Sequence, residues 1–458
     1  MFNNEQYIEG LLEQAVEATN AQIIKVLQKA KTKKGLTPEE IATLLYIKDP
    51  MQLQELYDIA GQIKQSIYGN RIVVFAPLYV SNYCVNNCTY CGYKRDNKIA
   101  RRKLTREEIQ QEVQILEKMG HKRLALECGE DPVNCDLDYI LSCIDAVYST
   151  KSDNGAIRRL NVNVAATTVE NYRKLKGADI GTYILFQETY HRKTYHDMHP
   201  NCLKGDYEYH LTAFDRAMEG GLDDVGAGVL FGLYDAKYEV LAMMLHNAHL
   251  EEKFGVGFHT ISVPRLKKAE GMDLSTYPHL LEDEEFKKIV AILRLAVPYT
   301  GIILSTRESA EMREQLIRYG VSQVSAGSCT GVGGYKENES CQDVGQFEVA
   351  DQRTPIQILK SLMSDGHLPS YCTACYRQGR TGDRFMQLAK SGKIQHVCQP
   401  NAIMTLMEFL LDYGDEALYQ QGSALIAQEV EKIERQDIKA LVIENLQKIR
   451  NGERDLYL

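Results

Sequence analysis

The sequence predicts an α/β fold: a (β/α)8 TIM barrel preceded by helices and followed by a helical C-terminal extension. From about residue 71, short apolar runs rich in β-branched residues alternate with stretches of helical periodicity. Strands that alternate with helices form a parallel sheet, and eight such units close into a barrel. A partial barrel of six units is the alternative. The eight runs are residues 72–79, 123–128, 160–165, 180–186, 224–230, 256–263, 301–305 and 323–326.

Polar residues cluster at the ends of these runs, as expected of a barrel active site. Catalytic residues of this fold lie at the carboxyl ends of the strands. Residues 127–130 read Glu-Cys-Gly-Glu after the second run, and residues 187–191 read Gln-Glu-Thr-Tyr-His after the fourth. Ser305 and Arg307 end the seventh run. The pattern therefore predicts a site at the mouth of the barrel.

Two changes of rhythm predict the limits of the barrel. Residues 1–70 read as an N-terminal helical segment, in which a Thr-Pro-Glu-Glu sequence from residue 37 marks a helix start. The strand rhythm stops at a glycine-rich loop over residues 331–334. We therefore expect the barrel to span residues 71–335 and a C-terminal domain to span residues 336–458.

Composition narrows the possible partners and compartments. The chain has 458 residues, of which 44% are hydrophobic and 25% charged, an ordinary globular balance. Its net charge of −9 argues against nucleic acid as a partner. No apolar run has membrane-spanning length, and the polar, acidic start does not resemble a signal peptide. We therefore expect a cytoplasmic protein, whose twelve cysteines serve as metal ligands or reduced thiols rather than disulfides.

The first cysteine group, with spacing C-x3-C-x2-C, follows the first predicted strand and contains Cys84, Cys88 and Cys91. Thiolates hold soft metals and iron–sulfur clusters. Three ligands are one short of a closed 4Fe–4S cluster, so one iron would stay open to a substrate or cofactor. The alternatives are a zinc knuckle or a loop of free thiols, and the lack of a fourth nearby ligand argues against zinc.

The second group consists of Cys372 and Cys375, followed by Cys398 after a gap of 22 residues. Spacing alone leaves an iron–sulfur cluster and a zinc site open, because His396 could complete a Cys3His set. The remaining cysteines are scattered and are expected to be structural: Cys128, Cys135, Cys143, Cys202, Cys329 and Cys341.

The two cysteine motifs together resemble one enzyme family. The first, with Tyr90 before its last cysteine and Gly-Tyr after it, resembles the radical S-adenosylmethionine (SAM) superfamily signature. The tail adds the sequence from Cys372 to Gly382 and a C-x2-C-x22-C spacing that ends at Cys398. With both motifs, the chain looks like the tyrosine lyases that mature FeFe-hydrogenase. The resemblance runs from about residue 70 to 415. A related family, the 2-iminoacetate synthases of thiamine biosynthesis, shares the barrel, the first cluster and tyrosine cleavage but lacks the tail cluster.

The resemblance implies a two-stage reaction. SAM chelates the open iron of the first 4Fe–4S cluster, and one electron cleaves it to a 5′-deoxyadenosyl radical. The radical takes a hydrogen from the tyrosine amine, and the Cα–Cβ bond breaks to give p-cresol and dehydroglycine. At a second cluster, which carries a labile fifth iron bridged by free cysteine, dehydroglycine yields CO and cyanide for an iron–CO–cyanide–cysteine synthon. Because the intermediate forms at one site and reacts at the other, we expect a passage through the barrel.

The family also implies partners, and a different class of function remains as an alternative. The small-molecule substrates would be tyrosine, SAM and cysteine. An electron donor such as a ferredoxin or flavodoxin and a hydrogenase maturation scaffold would be the protein partners. The alternative class is a non-enzymatic iron–sulfur or zinc scaffold, which would leave the polar strand ends without a role.

Five residues are candidates for binding SAM. Glu130 resembles the acidic member of the family's SAM motif, which accepts from the methionine ammonium; a solvated loop acid is the alternative. Asn163 and Glu188 are candidates for the SAM carboxylate or ribose. Gly226 and Gly228 would let the backbone approach the adenine.

Other residues are candidates for the substrate and the labile iron. Arg307 is expected to bind the tyrosine carboxylate, because a guanidinium matches a carboxylate bidentately, with Ser305 assisting. A surface ion pair between Arg307 and its neighbour Glu308 is the alternative. Gln187 and Tyr190 are further candidates for substrate contact. The family implies a barrel histidine on the labile iron, and the sixth run supplies His259, which is otherwise a core histidine.

Overall fold

Eight parallel strands close into a barrel in the computed structural model, which describes residues 2–153, 155–337 and 345–458. The strands are β1 Arg71–Ser81, β2 Arg123–Cys128, β3 Lys151–Ser152, β4 Gly155–Ala156, β5 Arg159–Asn163, β6 Tyr183–Glu188, β7 Val225–Val229, β8 Thr260–Ser262, β9 Gly301–Leu304, β10 Gln323–Ser325 and β11 Leu368–Ser370. Strands β1, β2 and β5 to β10 are neighbours in that order, and β10 returns to β1 with Val73 opposite Gln323. The predicted (β/α)8 barrel is confirmed, and the six-unit alternative is wrong.

The described residues also form twenty α-helices. They are α1 Glu5–Val16, α2 Asn20–Ala30, α3 Pro38–Leu45, α4 Pro50–Tyr68, α5 Arg106–Lys118, α6 Leu137–Ser149, α7 Val169–Gly177, α8 Arg192–Met198, α9 Tyr207–Leu211, α10 Ala213–Glu219, α11 Ala236–Phe254, α12 Asp283–Ala296, α13 Ala310–Tyr319, α14 Gly334–Glu337, α15 Pro355–Ser364, α16 Ala374–Arg377, α17 Gly382–Lys390, α18 Gln395–Tyr413, α19 Glu416–Glu431 and α20 Gln436–Arg450. Helix α3 begins as predicted, because Thr37 and Glu40 exchange side-chain and backbone hydrogen bonds in a capping box.

Each predicted run contains one barrel strand, but the run over residues 256–263 forms a strand only from Thr260 to Ser262. The backbone N–H of Phe258, two residues before this strand, is held by a side chain. The N–H of Phe258 donates to Asn247 Oδ1 of α11 at 2.8 Å. The apolar run predicts that this segment is buried, but it does not predict at which residue the strand begins.

The C-terminal extension adds a ninth strand to the barrel sheet, which the sequence did not predict. Strand β11 pairs in parallel with the first residues of β1, with Leu368 opposite Arg71 and Ser370 opposite Val73. Cys372 follows β11 by two residues, and β11 packs against α18, which carries Cys398. The second cysteine group therefore lies near the amino ends of the barrel strands. The sequence does not predict this strand because three residues with a central proline are typical of a turn, since proline cannot donate a backbone hydrogen bond to a neighbouring strand.

Ten of the described cysteines are free thiols, and Cys329 is disulfide-bonded. The expectation that every cysteine is reduced or bound to metal is therefore wrong at Cys329, because composition does not show which thiols the fold brings together. Cys341, predicted to be structural, lies outside the described residues. In the parts of the chain that the structure describes, no helix is both long and apolar enough to cross a bilayer.

Candidate active site at the two ends of the barrel

A cavity of about 610 Å³, here called the mouth cavity, opens at the carboxyl ends of the barrel strands. The thiols of Cys84, Cys88 and Cys91 lie in its wall. The further polar residues that line it include Glu127, Glu130, Asn163, Glu188, Lys204 and Arg307. The first cysteine group therefore shares one space with side chains that can bind both cationic and anionic groups.

The loop that carries these cysteines is fixed by main-chain hydrogen bonds on two sides. The N–H of Val85 donates to the Glu130 carbonyl at 2.8 Å, which ties the loop to the end of β2. The N–H of Gly92 donates to the Gln346 carbonyl at 3.1 Å, which ties the loop to a segment after the last barrel strand. The positions of the three thiols therefore depend on segments far away in the sequence.

Gly129 lets the end of β2 approach this loop closely. A Cβ atom there would lie 2.3 Å from the Tyr83 carbonyl oxygen and 3.0 Å from the Cβ of Cys84. We expect Gly129→Ala to displace the loop, to cost about 1–3 kcal/mol of stability as an overpacked substitution, and to lower the iron bound per chain. Thermal unfolding and iron analysis measure both effects. Gly177→Ala is the matched control, since no atom lies within 4 Å of its new Cβ. Equal iron content in the two variants would contradict this account.

A partly buried ion pair stands beside the cysteines. Lys204 Nζ lies 2.7 Å from Glu188 Oε1, and the two side chains are 18% and 11% exposed. Glu188 has a φ of +68° at a register shift in β6, a conformation that residues with side chains rarely adopt. Burial opposes the lysine charge, but the Glu188 carboxylate and the Cys88 thiol raise the pKa of Lys204. The lysine therefore stays charged beside the thiols.

Arg307 is half-buried, and its guanidinium stacks 3.2 Å above the centre of the Phe347 ring. Burial lowers its pKa, and its guanidinium forms no hydrogen bond with any residue in the described ranges. The alternative of a surface pair with Glu308 is excluded, because Glu308 pairs with Arg265, whose Nε lies 3.0 Å from Glu308 Oε1. Arg307 is therefore a half-buried cation that is available to an anion.

A smaller inner cavity of about 100 Å³ lies inside the barrel, lined by residues from seven of its strands. Its wall carries hydroxyl groups, including those of Ser262, Ser305, Ser325 and Ser328. Six residues line both the mouth cavity and the inner cavity, and we call this set the neck: Glu127, Asn163, Phe186, Arg307, Gln346 and Phe347. The mouth cavity therefore continues into the barrel interior.

A tail cavity of about 50 Å³ lies near the amino ends of the strands, and Cys372, Cys375 and Cys398 all line it. Arg71 and Arg123, the first residues of β1 and β2, line it as well. Along the strands, its lining residues lie closer to the amino ends than those of the inner cavity. For example, it includes residue 123 of β2, whereas the inner cavity includes residue 125, and alternate residues share a face of a strand.

His259 also lines the tail cavity, directly before β8. Its backbone N–H donates to the Val225 carbonyl at 2.9 Å. Its Nδ1 is buried with no hydrogen-bond partner among the described residues, and its Nε2 lies 3.9 Å from Asp224 Oδ2. His396 is not part of this lining, so His259 is the histidine that the structure places with the tail thiols. A ring nitrogen without a protein partner suits a metal ligand.

The electrostatics of the tail cavity favour a thiolate at Cys398, whereas burial raises the pKa of Cys372, and the hydrogen bond to Cys398 together with burial raises the pKa of Cys375. A hydrogen bond from the Cys375 thiol, together with Arg71, lowers the pKa of Cys398 to about 6 against the opposing effect of burial. Within the described ranges, no three Cys, His, Asp or Glu side chains converge closely enough to hold one metal ion. Zinc needs its ligands around a single ion, whereas the cysteines of a cluster each bind a different iron. The donor sets therefore fit clusters better than zinc.

Two family profiles match the chain: the radical SAM superfamily over residues 78–246, and the Biotin and Thiamin Synthesis associated domain over residues 262–368. A crystal structure of HydG, a maturase of the FeFe-hydrogenase, superimposes on this structure with a TM-score of 0.98. It is 59% identical in sequence, and the match covers 100% of both chains. The chain belongs to the HydG family of FeFe-hydrogenase maturases.

Two further relatives are similar to this chain, a second HydG and a 2-iminoacetate synthase. The HydG structure from Carboxydothermus hydrogenoformans has a TM-score of 0.84 and 38% identity, over 96% of this chain and 97% of that one. The 2-iminoacetate synthase of Escherichia coli (strain K12) is 30% identical over 346 residues, which are 75% of this chain and 89% of that protein. As a radical SAM enzyme, this HydG-family chain uses a 4Fe–4S cluster and SAM.

Four of the residues chosen from the sequence lie outside the cavities of this HydG-family barrel. Tyr190 is fully buried, and its hydroxyl bonds to His246 Nδ1 at 2.9 Å. Gln187 is also buried and lines none of the three cavities. Cβ atoms at Gly226 and Gly228 would meet Thr260 Oγ1 at 2.5 Å and a Phe186 ring carbon at 2.8 Å, so these glycines serve close packing between strands. The structure does not bring these four residues to the mouth cavity.

Three residues that line the mouth cavity of this HydG-family chain are not predicted by the sequence. Lys204 lies on a short 3₁₀ helix, Leu203–Gly205, which carries no motif and follows no strand. Gln346 and Phe347 come from a segment after the last barrel strand and line the mouth cavity. Gln346 accepts the Tyr79 hydroxyl at 2.8 Å and lies near the Cys91 sulfur. A lone lysine and a loop segment give no sequence signal for a site.

Proposed function

We propose that this HydG-family protein cleaves tyrosine into p-cresol and dehydroglycine, then converts dehydroglycine into CO and cyanide for an iron–CO–cyanide–cysteine synthon. One observation carries the proposal: two sets of three cysteines lie at opposite ends of one barrel, with the inner cavity between them. A reaction in two stages with a reactive intermediate needs two sites and an enclosed interior. The non-enzymatic scaffold alternative needs neither.

The mouth cavity supports the first stage. Cys84, Cys88 and Cys91 would hold a 4Fe–4S cluster that supplies the electron for SAM cleavage, leaving one iron for SAM. Glu130 would accept the methionine ammonium of SAM, and its carboxylate already accepts from Asn86 Nδ2. Asn163 and Glu188 would take up the remaining polar groups of SAM.

The neck supports binding of tyrosine close to SAM. Arg307 would bind the tyrosine carboxylate, and Ser305, in the wall of the inner cavity, would assist. Because the arginine is desolvated and has no other anion, its hydrogen bonds to a carboxylate would be strong. The closed barrel excludes water and stray hydrogen donors, which would otherwise quench a primary radical.

The tail cavity supports the second stage. Cys372, Cys375 and Cys398 would hold the second cluster, and His259 would hold its labile iron. Free cysteine, the third substrate, would complete the coordination of this iron. An electron donor such as a ferredoxin or flavodoxin would supply electrons, and a hydrogenase maturation scaffold would receive the product.

Anaerobic incubation with SAM, reductant and tyrosine tests the proposal directly. The cluster-loaded protein should release p-cresol together with CO and cyanide, and reactions without SAM serve as the control. Failure to form p-cresol with both clusters loaded would overturn the proposal. The 30% identity to 2-iminoacetate synthase makes that activity the second candidate. It predicts p-cresol without CO or cyanide, so the same experiment separates the two.

Replacing Arg307 should weaken tyrosine binding. Loss of a bidentate, charge-assisted contact costs about 2–4 kcal/mol, so Arg307→Ala should raise the tyrosine KM roughly 30-fold or more. Steady-state p-cresol formation measures this. Arg307→Lys should fall between the two proteins, because lysine keeps the charge but not the fork geometry. An unchanged tyrosine dependence in Arg307→Ala would remove this residue from the substrate site.

A further inference from the structure

The neck carries one cation and one acid. Of its six residues, Arg307 is basic, Glu127 is acidic and the others are uncharged. Glu127 ends β2 and Arg307 follows β9, and β1 and β10 separate these two strands in the barrel. The two opposite charges therefore enter the same narrow space from different sides of the barrel.

Glu127 has no cation of its own. In the strand register it stands beside Tyr79 of β1 and Asn163 of β5, and it forms no ion pair with any residue in the described ranges. Burial raises its pKa to about 8, although a hydrogen bond with Asn163 and the charge of Arg307 act in the opposite direction. Glu127 is half-buried, and a carboxylate that has lost part of its water and has no counter-charge is costly unless a ligand supplies one.

The other acids of the mouth cavity already have partners. Glu188 pairs with Lys204 at 2.7 Å, and Glu130 accepts from Asn86 Nδ2. Asp206 caps α9, because its Oδ1 accepts the N–H of Tyr209 at 3.0 Å. None of these three acids reaches the inner cavity. Glu127 is therefore the acid left for a cation that binds beside Arg307.

An α-amino acid presents one anion and one cation on the same carbon atom. A site for such a molecule needs a basic and an acidic side chain facing one space, neither of them already held in an ion pair. Glu127 and Arg307 meet this requirement. We propose that Glu127 binds the α-amino group of the substrate while Arg307 binds its carboxylate, an inference that rests on the proposed tyrosine lyase function.

This pair would also control what happens after bond cleavage. Breaking the Cα–Cβ bond leaves both the nitrogen and the carboxylate on the two-carbon fragment, and the aromatic product carries neither. Glu127 and Arg307 would therefore retain dehydroglycine and release p-cresol. Because both residues line the inner cavity as well, the retained fragment sits at the entrance to the barrel interior.

Substrate analogues that lack one charge test the assignment. Dissociation constants are measured anaerobically on the SAM-loaded holoenzyme for L-tyrosine, for tyramine, which lacks the carboxylate, and for 3-(4-hydroxyphenyl)propanoate, which lacks the amine. Glu127→Gln should weaken L-tyrosine and tyramine about 10- to 150-fold, as for a lost charged hydrogen bond, and leave the propanoate unchanged. Arg307→Ala should weaken L-tyrosine and the propanoate and leave tyramine unchanged.

Glu239→Gln is the matched control. Glu239 is a buried carboxyl of α11 whose pKa is also raised to about 8 by burial, but it bonds to Tyr190 N–H at 2.8 Å and lines none of the three cavities. This variant should bind all three ligands as the parent does. If Glu127→Gln loads its clusters poorly, Glu127→Asp provides the second test. It keeps the charge and should retain preference for L-tyrosine over the propanoate.

The outcomes separate this inference from the proposed function. If Glu127→Gln binds L-tyrosine normally, or weakens all three ligands equally, the assignment of Glu127 is wrong even while the parent protein makes p-cresol. If the parent protein neither binds tyrosine nor makes p-cresol, the proposed function itself fails. Loss confined to the two amine-bearing ligands supports the assignment.

Discussion

The Cys88→Ala variant is expected to lose SAM cleavage and therefore every later product. Cys88 is 6% exposed and stands with Cys84 and Cys91 in the wall of the mouth cavity. Two thiolates cannot complete the ligation of a cluster that needs three protein ligands and SAM. Without the cluster no electron reaches the sulfonium, so the formation of 5′-deoxyadenosine should fall to the rate without protein.

Anaerobic quantification of 5′-deoxyadenosine measures this loss. Cys143→Ala is the matched control, because Cys143 is a fully buried thiol of α6 that lines none of the cavities. It should keep SAM cleavage after the usual cost of a small cavity. Normal SAM cleavage by Cys88→Ala would show that the first cysteine group does not hold the catalytic cluster.

The double variant Cys372→Ser, Cys375→Ser should keep p-cresol formation and lose the iron–CO–cyanide product. Tyrosine cleavage uses the mouth cavity and the neck, which share no residue with the tail cavity. Two of the three tail thiols disappear, and serine oxygen is a poor ligand for the soft iron of a cluster. The first half of the reaction should therefore be separable from the second.

The measurement compares p-cresol with iron-bound CO and cyanide in the same reaction. Iron analysis should show the loss of the second cluster only, which confirms that the first site stays loaded. A double variant that still makes the iron product would reduce the tail to a structural metal site and favour a 2-iminoacetate synthase. Loss of p-cresol with a full first cluster would mean that the two stages are coupled.

The barrel could be predicted, and the first cysteine group could be placed at its mouth, because their signals are local. Alternating apolar runs and helices specify parallel strands, and all eight predicted runs contain a barrel strand. The spacing of Cys84, Cys88 and Cys91 carries chemistry within eight residues. Arg307 could be placed at the mouth because it follows β9 by three residues, at the strand end where this fold places its functional residues.

The missed features depend on contacts between distant parts of the chain. Nothing near Lys204 shows that it meets Glu188, and nothing near Gln346 shows that it covers the cysteine loop. Gln187 and Tyr190 were chosen because they follow a strand, but the chain turns them into the core. Position after a strand predicts which residues are near the mouth, whereas packing decides which side chains enter it.

Strand β1 sets the distance between the mouth cavity and the tail cavity. Its carboxyl end leads into the loop of Cys84, and its amino end pairs with the strand that precedes Cys372. Its 11 residues, at about 3.3 Å each, set a length of roughly 33 Å between these ends. Inserting one residue would turn every later side chain to the opposite face, because side chains alternate along a strand. The distance between the two sites is therefore set by the length of this strand rather than by the loops that carry the cysteines.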